Sequence, residues 1–153
     1  MDHSQPARPT LAVVVPAYNE AAVLAQFHAR LAAVFDALDA EGSVLYVDDG
    51  SRDATWQVIC NLAERDPRVA ALRLARNFGK EAALTAGLDQ IDADLALVID
   101  ADLQDPPELI PEFLAKWREG FDVVYGQRLA RDGESWLKRA TAAAFYRVMR
   151  RLS

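Results

Sequence analysis

The sequence predicts an α/β domain in which a mostly parallel, Rossmann-like sheet carries helices on both faces. Short β-rich runs alternate along the chain with longer runs of helical periodicity, which is typical of βαβ units. The strand-like runs are continuously apolar, as expected for parallel strands that are buried on both faces. The length of 153 residues fits one domain. We expect residues 1–10 to form a flexible tail and residues 11–153 to form the domain.

The elements follow one another in a regular order. Apolar runs predict five strands, at residues 11–15, 44–47, 69–74, 95–99 and 121–125. Apolar residues spaced three and four apart predict helices over residues 23–38, 56–62 and 80–91. Ser51 or Asp53 is expected to cap the second of these helices.

A fourth helix is predicted to start at the segment Asp105-Pro-Pro-Glu108. Asp105 would be its cap, Pro106 its first residue, and Glu108 the second half of a capping box. Pro111 falls early in this helix and is expected to cost one hydrogen bond. Residues 136–152 are also helical by pattern, with an apolar stripe beside several basic side chains.

Charge is distributed unevenly. The net charge is -6, but residues 1–127 carry 10 basic and 21 acidic side chains, whereas residues 128–153 carry 7 and 2. The acidic body argues against nucleic-acid binding. The basic, apolar-striped end leaves three interpretations open: contact with a membrane surface, docking on further protein, or packing against its own domain. Oligomeric state also stays open.

Other features restrict the class of protein. The single cysteine, Cys60, excludes an internal disulfide and favours a reducing compartment. Neither a signal peptide nor an apolar run of about 20 residues is visible, so the chain as given is expected to be soluble. His3 lies in the tail and His28 is predicted on the polar side of a helix. Neither histidine is assigned a functional role.

Polar clusters follow each predicted strand. They are Pro16-Ala-Tyr-Asn-Glu20, Asp48-Asp-Gly-Ser51, Arg76-Asn-Phe-Gly-Lys80, Asp100-Ala-Asp-Leu-Gln-Asp105 and Gly126-Gln-Arg128. Open α/β sheets bind their ligands outside the carboxyl ends of the strands. Five polar clusters at that one edge therefore predict a binding site there.

The segment Asp100-Ala-Asp102 is the most informative of these clusters. Two carboxylates this close repel each other unless a cation or a basic group lies between them. Mg²⁺ and Mn²⁺ prefer oxygen ligands and commonly use one or two carboxylates together with substrate phosphates. Gln104 adds a neutral oxygen nearby. We therefore predict that Asp100, Asp102 and Gln104 hold Mg²⁺ or Mn²⁺ on a diphosphate.

The other clusters supply groups suited to a nucleotide. One carboxylate of Asp48 and Asp49 is expected to accept hydrogen bonds from a nucleoside, while the other shapes the turn. Tyr18 can lie against a base, and Glu20 can accept from a ribose hydroxyl. Arg76 and Lys80 offer positive charge near phosphates, with a solvated surface pair as the alternative.

In these motifs the chain resembles family 2 glycosyltransferases of the GT-A fold. The matching stretches are Val15-Pro-Ala-Tyr-Asn-Glu20, Val47-Asp-Asp-Gly-Ser-Arg-Asp53, Arg76-Asn-Phe-Gly-Lys-Glu81, Asp100-Ala-Asp-Leu-Gln-Asp-Pro-Pro-Glu108, and Tyr125-Gly-Gln-Arg128 with Glu134-Ser-Trp-Leu-Lys-Arg139. Within the family it is most similar to polyprenyl-phosphate sugar transferases, such as dolichyl-phosphate mannose synthase and bactoprenol glucosyltransferase.

The resemblance implies a role for each matching residue. The nucleotide would be bound by Pro16, Tyr18, Glu20, Asp48, Asp49, Lys80, Asp100 and Ala101. Asp100, Asp102 and Gln104 would be the metal ligands. Arg128 and Arg139 would bind the phosphate of the acceptor or donor and, with Asp102, form the catalytic set.

The activity implied is inverting transfer of a hexose from a UDP- or GDP-sugar to a polyprenyl phosphate. Members of the family continue with a Gly-Asp-Phe-Arg-like motif and, in many cases, transmembrane helices, so this chain is expected to be partial. A longer protein would then sit at the cytoplasmic face of the cell membrane through those helices. Two alternatives stay open: a polysaccharide or other acceptor, and a nucleotide-sugar-binding fragment without turnover.

Overall fold

Four parallel strands form the sheet in a computed structural model that describes residues 8–126. The strands β1 (Thr10–Ala17), β2 (Glu41–Asp48), β3 (Val69–Arg73) and β4 (Leu95–Val98) lie in the order β3-β2-β1-β4. The helices are α1 (Ala21–Ala37), α2 (Thr55–Arg65), α3 (Lys80–Leu88), a 3₁₀ turn (Pro107–Leu109) and α4 (Ile110–Arg118). The predicted α/β class with a parallel sheet is confirmed.

β1 lies in the middle of the sheet and is almost completely buried. It pairs with β2 through eight residues, from Thr10 opposite Glu41 to Ala17 opposite Asp48. On its other side it pairs with β4, with Val14 opposite Val98. The chain runs outward from β1 to β3 and then returns to β4, so the strand order reverses at β1. In α/β sheets a crevice for ligands opens at such a reversal.

The two faces of the sheet have cores of very different size. The larger core joins β1 and β2 to α1, α2 and α4, and includes Phe27, Leu31 and Tyr46. The buried residues of the smaller core are Val14, Leu45 and Val47 of the sheet and Ala83 of α3. This thin layer depends on Gly87, because a Cβ there would lie 2.5 Å from Val14 Cγ1 and 2.9 Å from Val47 Cγ2.

Three hydrogen bonds that involve side chains tie β1 to the residue before β4, at the amino ends of the two strands. Asp94 Oδ2 accepts from the backbone N–H of Thr10 at 2.8 Å and from its hydroxyl at 2.9 Å. The Thr10 hydroxyl in turn accepts from the backbone N–H of Asp94 at 2.8 Å. We call this arrangement the Thr10–Asp94 clip. The clip lies at the amino ends of the strands, and the carboxyl ends lie at the other end of the sheet.

Several element predictions were wrong in detail. The described residues 121–126 contain no strand, and cavities of about 250 and 490 Å³ lie beside that segment, β4 and α4. The sheet in the described part of the chain therefore has four strands rather than the five predicted. α3 ends at Leu88 rather than at Ile91. Residues 136–152 lie outside the described part of the chain.

The helix starts also differ from the prediction. No capping box forms, because the Glu108 carboxylate instead binds the Arg30 guanidinium through two hydrogen bonds of 2.7 and 2.6 Å. Pro106, not Asp105, stands at the cap of the 3₁₀ turn. Pro111 lies in the first turn of α4, where a backbone N–H has no partner within the helix, so it costs no hydrogen bond.

His28 is a further correction, since it is buried rather than on a polar helix face. Its Nδ1 lies 3.0 Å from the Tyr46 hydroxyl, and its Nε2 lies 3.4 Å from Asp66 Oδ2. Burial lowers the pKa of His28, although the neighbouring Asp66 carboxylate opposes the shift. The histidine therefore belongs to the contact between α1 and the turn before β3.

Candidate functional site

A cleft of about 320 Å³ opens at the carboxyl ends of β1 and β4, where the strand order reverses. Three segments form most of its wall: the turn after β1, the loop before α3, and the loop after β4. Its lining residues are Pro16, Ala17, Tyr18, Glu20, Asp49, Asn77, Gly79, Lys80, Asp100, Ala101 and Asp102. Three of the five predicted polar clusters and one residue of a fourth therefore meet in one place.

The turn after β1 brings Tyr18 and Glu20 to the cleft. Asn19 between them has a φ of 56°, a left-handed conformation that asparagine tolerates better than most residues. Tyr18 keeps 39% of its surface exposed, so its ring is available to a flat ligand. Burial and the nearby carboxylates of Asp102 and Asp100 raise the pKa of Glu20. The cleft thus concentrates negative charge.

A second loop, residues 51–55, holds this turn through hydrogen bonds between side-chain oxygens and backbone N–H groups. Ser51 Oγ accepts from the N–H of Asn19, and Asn19 Oδ1 accepts from the N–H of Arg52, both at 2.9 Å. Thr55 Oγ1 accepts from the N–H of Glu20 at 2.9 Å. Asp53 Oδ2 accepts from the N–H of Ala21 at 3.3 Å. Sequence reasoning missed these contacts, because they join residues more than 30 positions apart.

The predicted cap of α2 lies in the same loop. Ala54 stands at the cap position, so neither Ser51 nor Asp53 occupies it. Asp53 Oδ1 nevertheless accepts from the backbone N–H of Thr55 at 2.9 Å and also from its hydroxyl. The hydrogen bond from the Thr55 hydroxyl is the main reason that the pKa of Asp53 is lowered.

Asp48 and Asp49 both have structural partners. Asp48 is fully buried, accepts from the N–H of Ser51 at 3.0 Å, and does not line the cleft. Arg73 Nε lies 3.1 Å from Asp48 Oδ2, a charge contact without the alignment of a hydrogen bond. Asp49 reaches the cleft and also shapes its wall, because its two oxygens accept from the N–H groups of Phe78 and Gly79.

The loop before α3 lies close against the turn after β2. Gly50 has a φ of +67°, and a Cβ there would lie 2.4 Å from the Arg76 carbonyl carbon, so only glycine fits. The Arg76 guanidinium lies 4.9 Å from the centre of the Phe78 ring and does not line the cleft. Lys80, the first residue of α3, does line it.

The segment after β4 brings Asp100 and Asp102 to the cleft on either side of buried Ala101. Asp100 Oδ2 lies 2.5 Å from Lys80 Nζ. Asp102 Oδ1 accepts from the backbone N–H of Gln104 at 2.9 Å. Between these two residues Leu103 adopts a φ of 64°, a conformation that is uncommon for leucine and sharply turns the chain. Gln104 lines a neighbouring cavity rather than the cleft.

This donor set fits a hard divalent cation that also has ligands from a bound diphosphate. Among residues 8–126, no cluster of three or more His, Cys, Asp or Glu side chains is arranged to hold a metal by itself. Two carboxylates in one cleft match a cation that takes one or two protein carboxylates plus phosphate oxygens. The protein carboxylates would then supply only part of the coordination.

The predicted site residues thus fall into three groups. Pro16, Tyr18, Glu20, Asp49, Lys80, Asp100, Ala101 and Asp102 line the cleft. Asp48 and Gln104 do not. Arg128 and Arg139 lie outside the described residues. Ala17, Asn77 and Gly79 line the cleft without having been predicted, although all three fall within clusters that the sequence had singled out.

A comparison with protein families assigns the chain. Residues 12–152 match the family model described as glycosyl transferase family 2. The chain belongs to glycosyltransferase family 2. The resemblance expected from its motifs is therefore confirmed over nearly the whole sequence.

Curated relatives agree with this assignment. The chain is 44% identical over 143 residues to an uncharacterized glycosyltransferase of Synechocystis, covering 94% of this chain and 45% of the relative. It is 41% identical over 143 residues to the bactoprenol glucosyl transferase of Shigella phage SfV, covering 94% of this chain and 47% of the relative. The chain therefore spans less than half the length of these relatives.

Solved structures show the same fold. A mannosyltransferase from Pyrobaculum calidifontis, in complex with GDP-Man and Mn²⁺, matches with a TM-score of 0.62 and 26% identity. The match covers 73% of this chain and 33% of that one. TarS from S. aureus in complex with UDP-GlcNAc matches with a TM-score of 0.60 over 80% of this chain and 37% of its own, at 22% identity.

Within residues 8–126, no helix has the length and apolar character needed to span a bilayer.

Proposed function

We propose that the cleft binds a nucleoside-diphosphate sugar and that the protein transfers the sugar, with inversion, to a polyprenyl phosphate. The observation that carries the proposal is the meeting of Tyr18, Glu20, Lys80, Asp100 and Asp102 in one cleft at the strand reversal. An aromatic ring, a lysine ammonium and a carboxylate pair are the groups that a base, a diphosphate and its cation require. The donor hexose is UDP- or GDP-linked.

The nucleoside half of the donor is assigned to the β1 side of the cleft. Tyr18 offers an exposed ring face, and Glu20 offers a carboxylate to a ribose hydroxyl. Pro16 and Asp49 form the adjacent wall, where both Asp49 oxygens already hold backbone N–H groups. Asp49 therefore acts mainly by fixing the loop before α3, with any contact to the nucleoside as an additional role.

The diphosphate is assigned to the β4 side. Asp100 and Asp102 would hold Mg²⁺ or Mn²⁺ there, whereas Gln104, which lines the neighbouring cavity, is left out of the proposed ligand set. Support comes from the chemistry of the donor set and from the mannosyltransferase relative solved with GDP-Man and Mn²⁺. When bound, the cation would neutralise charge on the leaving diphosphate. Lys80 would contribute a second positive charge beside the phosphates.

The acceptor side is assigned to Arg128 and Arg139, whose planar guanidinium groups suit phosphate oxygens. An acceptor phosphate oxygen would attack the anomeric carbon from the face opposite the diphosphate. The carbon–oxygen bond to the diphosphate breaks, and its electron pair leaves with the nucleoside diphosphate. A phosphate monoester is already anionic at neutral pH, so the step needs no strong general base. Support comes from the 41% identity to a bactoprenol glucosyl transferase.

The protein as a whole is proposed to act at the cytoplasmic face of a membrane, where a lipid phosphate acceptor is found. Its nucleotide-sugar-binding part would extend from Thr10 to residue 153, because Thr10, which was predicted to belong to the tail, is the first residue of β1. Further chain would then supply the membrane attachment and the rest of the acceptor side.

Calorimetric titration of the 153-residue chain with UDP and GDP, with and without Mn²⁺, tests donor binding. We expect one of the two nucleotides to bind, and to bind at least tenfold more tightly when Mn²⁺ is present. Changing both Asp100→Asn and Asp102→Asn should remove that dependence on Mn²⁺, because the amides have lost the negative charge that holds a hard cation.

A matched control is the pair Glu64→Gln and Glu112→Gln. Both residues are exposed on helices away from the cleft, and the pair removes the same amount of negative charge. This control should bind nucleotide and Mn²⁺ as the unmodified chain does. Unchanged Mn²⁺ dependence in the Asp100 and Asp102 variant would refute the cation site.

The acceptor is tested by incubating the chain, or a longer form of the protein, with labelled nucleotide sugar and polyprenyl phosphate. Label should move into the organic phase on extraction. Donor binding together with label that appears only in a polysaccharide would replace the lipid acceptor with a polysaccharide one. Donor binding without any transfer by the longer form would leave a binding protein in place of an enzyme.

A further inference from the structure

The amino end of α1 is capped by another loop rather than by its own residues. Glu20 stands at the cap position but makes no side-chain cap hydrogen bond, and the first turn of α1 contains no acidic residue. The N–H of Glu20 donates to Thr55 Oγ1, and the N–H of Ala21 donates to Asp53 Oδ2. The N–H groups at a helix start have no partner within the helix, so an acceptor from elsewhere in the chain must satisfy them.

This arrangement leaves the Glu20 carboxylate for the cleft. A residue at the cap position usually turns its side-chain oxygen back onto the helix. Here the Glu20 carboxylate makes no such bond and instead lines the cleft beside Asp102, while the Thr55 hydroxyl and the Asp53 carboxylate hold the backbone N–H groups of Glu20 and Ala21. The same loop also fixes Asn19, through Ser51 Oγ and the N–H of Arg52.

We propose that Thr55 and Asp53 are positioning residues for nucleotide binding, because they hold the turn after β1 in the conformation that presents Tyr18 and Glu20 to the ligand. The inference rests on the proposed nucleotide cleft. Neither Thr55 nor Asp53 lines that cleft, so both act through the backbone of the turn. Thr55 is fully buried and cannot touch a ligand.

The Thr55 hydroxyl is suited to this role because both of its hydrogen-bonding functions are in use. It accepts from the N–H of Glu20 and donates its single proton to Asp53 Oδ1. Valine has nearly the same shape but can do neither. Thr55→Val would therefore leave the Glu20 N–H without its acceptor in a partly buried position, and the turn would have to move to find water. Serine would keep both hydrogen bonds.

The test compares Thr55→Val and Thr55→Ser by calorimetry, using the nucleoside diphosphate that the unmodified chain binds. Thr55→Val should weaken binding roughly tenfold, and Thr55→Ser should restore most of the affinity. Native-state hydrogen exchange should show faster exchange of the Glu20 amide in Thr55→Val and near-normal exchange in Thr55→Ser. That second readout reports on the turn without any ligand.

Ile59→Val is the matched control for lost stability. Ile59 is fully buried in α2, one turn beyond Thr55, and does not line the cleft. It should lower the melting temperature about as much as Thr55→Val does while leaving nucleotide affinity within a factor of two. Equal losses of affinity in the two variants would show a general stability effect and overturn the proposal.

The remaining outcomes separate this inference from the proposed function. If the unmodified chain binds neither UDP nor GDP, the nucleotide cleft is wrong and the positioning role fails with it. If the chain binds nucleotide and Thr55→Val binds it equally well, the cleft stands and only the positioning role is overturned.

Discussion

At the scale of single residues, the contact between Lys80 and Asp100 determines the charge of the proposed cation site before a cation binds. Lys80 Nζ lies 2.5 Å from Asp100 Oδ2, so the ammonium already neutralises one carboxylate of the proposed cation site. The lysine side chain is 57% exposed, which leaves it free to swing away at low cost. At the proposed site the lysine would therefore compete with a cation for Asp100 until a bound diphosphate offered the ammonium a second partner.

We expect Lys80→Met to tighten Mn²⁺ binding in the absence of nucleotide, by roughly three- to tenfold, since the competing charge is removed. Free Mn²⁺ measured by electron paramagnetic resonance during a titration checks this. Lys116→Met is the matched control, because Lys116 pairs with Glu119 on the surface of α4. If both variants bound Mn²⁺ like the unmodified chain, the lysine would not compete for the carboxylate.

Residue types and their order were enough to predict most of the cleft. Tyr18, Glu20, Lys80, Asp100 and Asp102 follow strand ends, and parallel strands bring their carboxyl ends to one edge. Asp48 could not be distinguished from Asp49 in this way. The Asp48 carboxylate points inward and binds the N–H of Ser51, whereas Asp49, one residue later, lines the cleft. The sequence of the pair does not indicate which of the two aspartates lines the cleft.

At the scale of elements, α1 is joined to the turn before β3 by a chain of polar side chains. The Arg68 guanidinium binds Asp66 and reaches Asp36 on α1, while Asp66 also faces His28. The hydrogen bonds from Arg68 lower the pKa of Asp66 to about 2. A carboxyl whose pKa is lower in the folded state than in the unfolded state stabilises the fold at higher pH.

This pKa predicts an acid-dependent loss of stability. The unfolded chain should protonate Asp66 near its ordinary pKa, so the contribution of Asp66 is complete above about pH 4 and disappears as the pH falls towards 2. Asp66→Asn should lower the free energy of unfolding at pH 7 by about 1–2 kcal/mol and flatten its pH dependence between 4 and 2. Urea unfolding at several pH values measures both effects.

The control for this experiment is Asp36→Asn, which removes the exposed partner of Arg68. The Asp36 side chain is 71% exposed, so we expect this substitution to lower the free energy of unfolding by less than about 0.5 kcal/mol. If the free energy of unfolding of Asp66→Asn fell between pH 4 and 2 as steeply as that of the unmodified chain, other carboxyl groups would cause the acid sensitivity.

Elements with strong local signals were predicted well, and those decided by distant partners were not. The apolar runs of β1 and β4 and the periodicity of α1 identify those elements from the sequence alone. Glu108 was predicted to close a capping box, but Arg30, 78 positions away, binds it instead. The segment 121–125 has strand-like residues, yet a strand also needs a neighbouring backbone to pair with, and local sequence carries no information about that neighbour.

At the scale of the whole molecule, stability is divided unequally between the two faces of the sheet. α3 buries only Ala83 and Gly87, and it rests on three buried residues of the sheet, Val14, Leu45 and Val47. The opposite face holds the much larger core under α1, α2 and α4. Regions with few buried apolar contacts open at lower free energy than the rest of a domain.

Native-state hydrogen exchange should therefore show α3 opening locally, at least about 2 kcal/mol below global unfolding. Amides in the centre of β1 should exchange only through global unfolding and serve as the internal reference. Because Lys80 begins α3, nucleotide should slow exchange in α3 more than in α2. Equal protection of α3 and β1 in the free protein would contradict the unequal division of stability.

The Thr10–Asp94 clip has a consequence for the cleft, although it lies at the far edge of the sheet. β4 pairs with β1 through only four residues, too few to define a unique alignment by themselves. A slip of β4 by two residues would keep the same side chains facing inward and would displace Asp100 and Asp102 by about 7 Å. The clip therefore fixes the register of β4 against β1 from the end of the strands that is far from the cleft. Loss of the Thr10 hydroxyl would therefore displace the carboxylates of Asp100 and Asp102, although no residue that lines the cleft had been replaced.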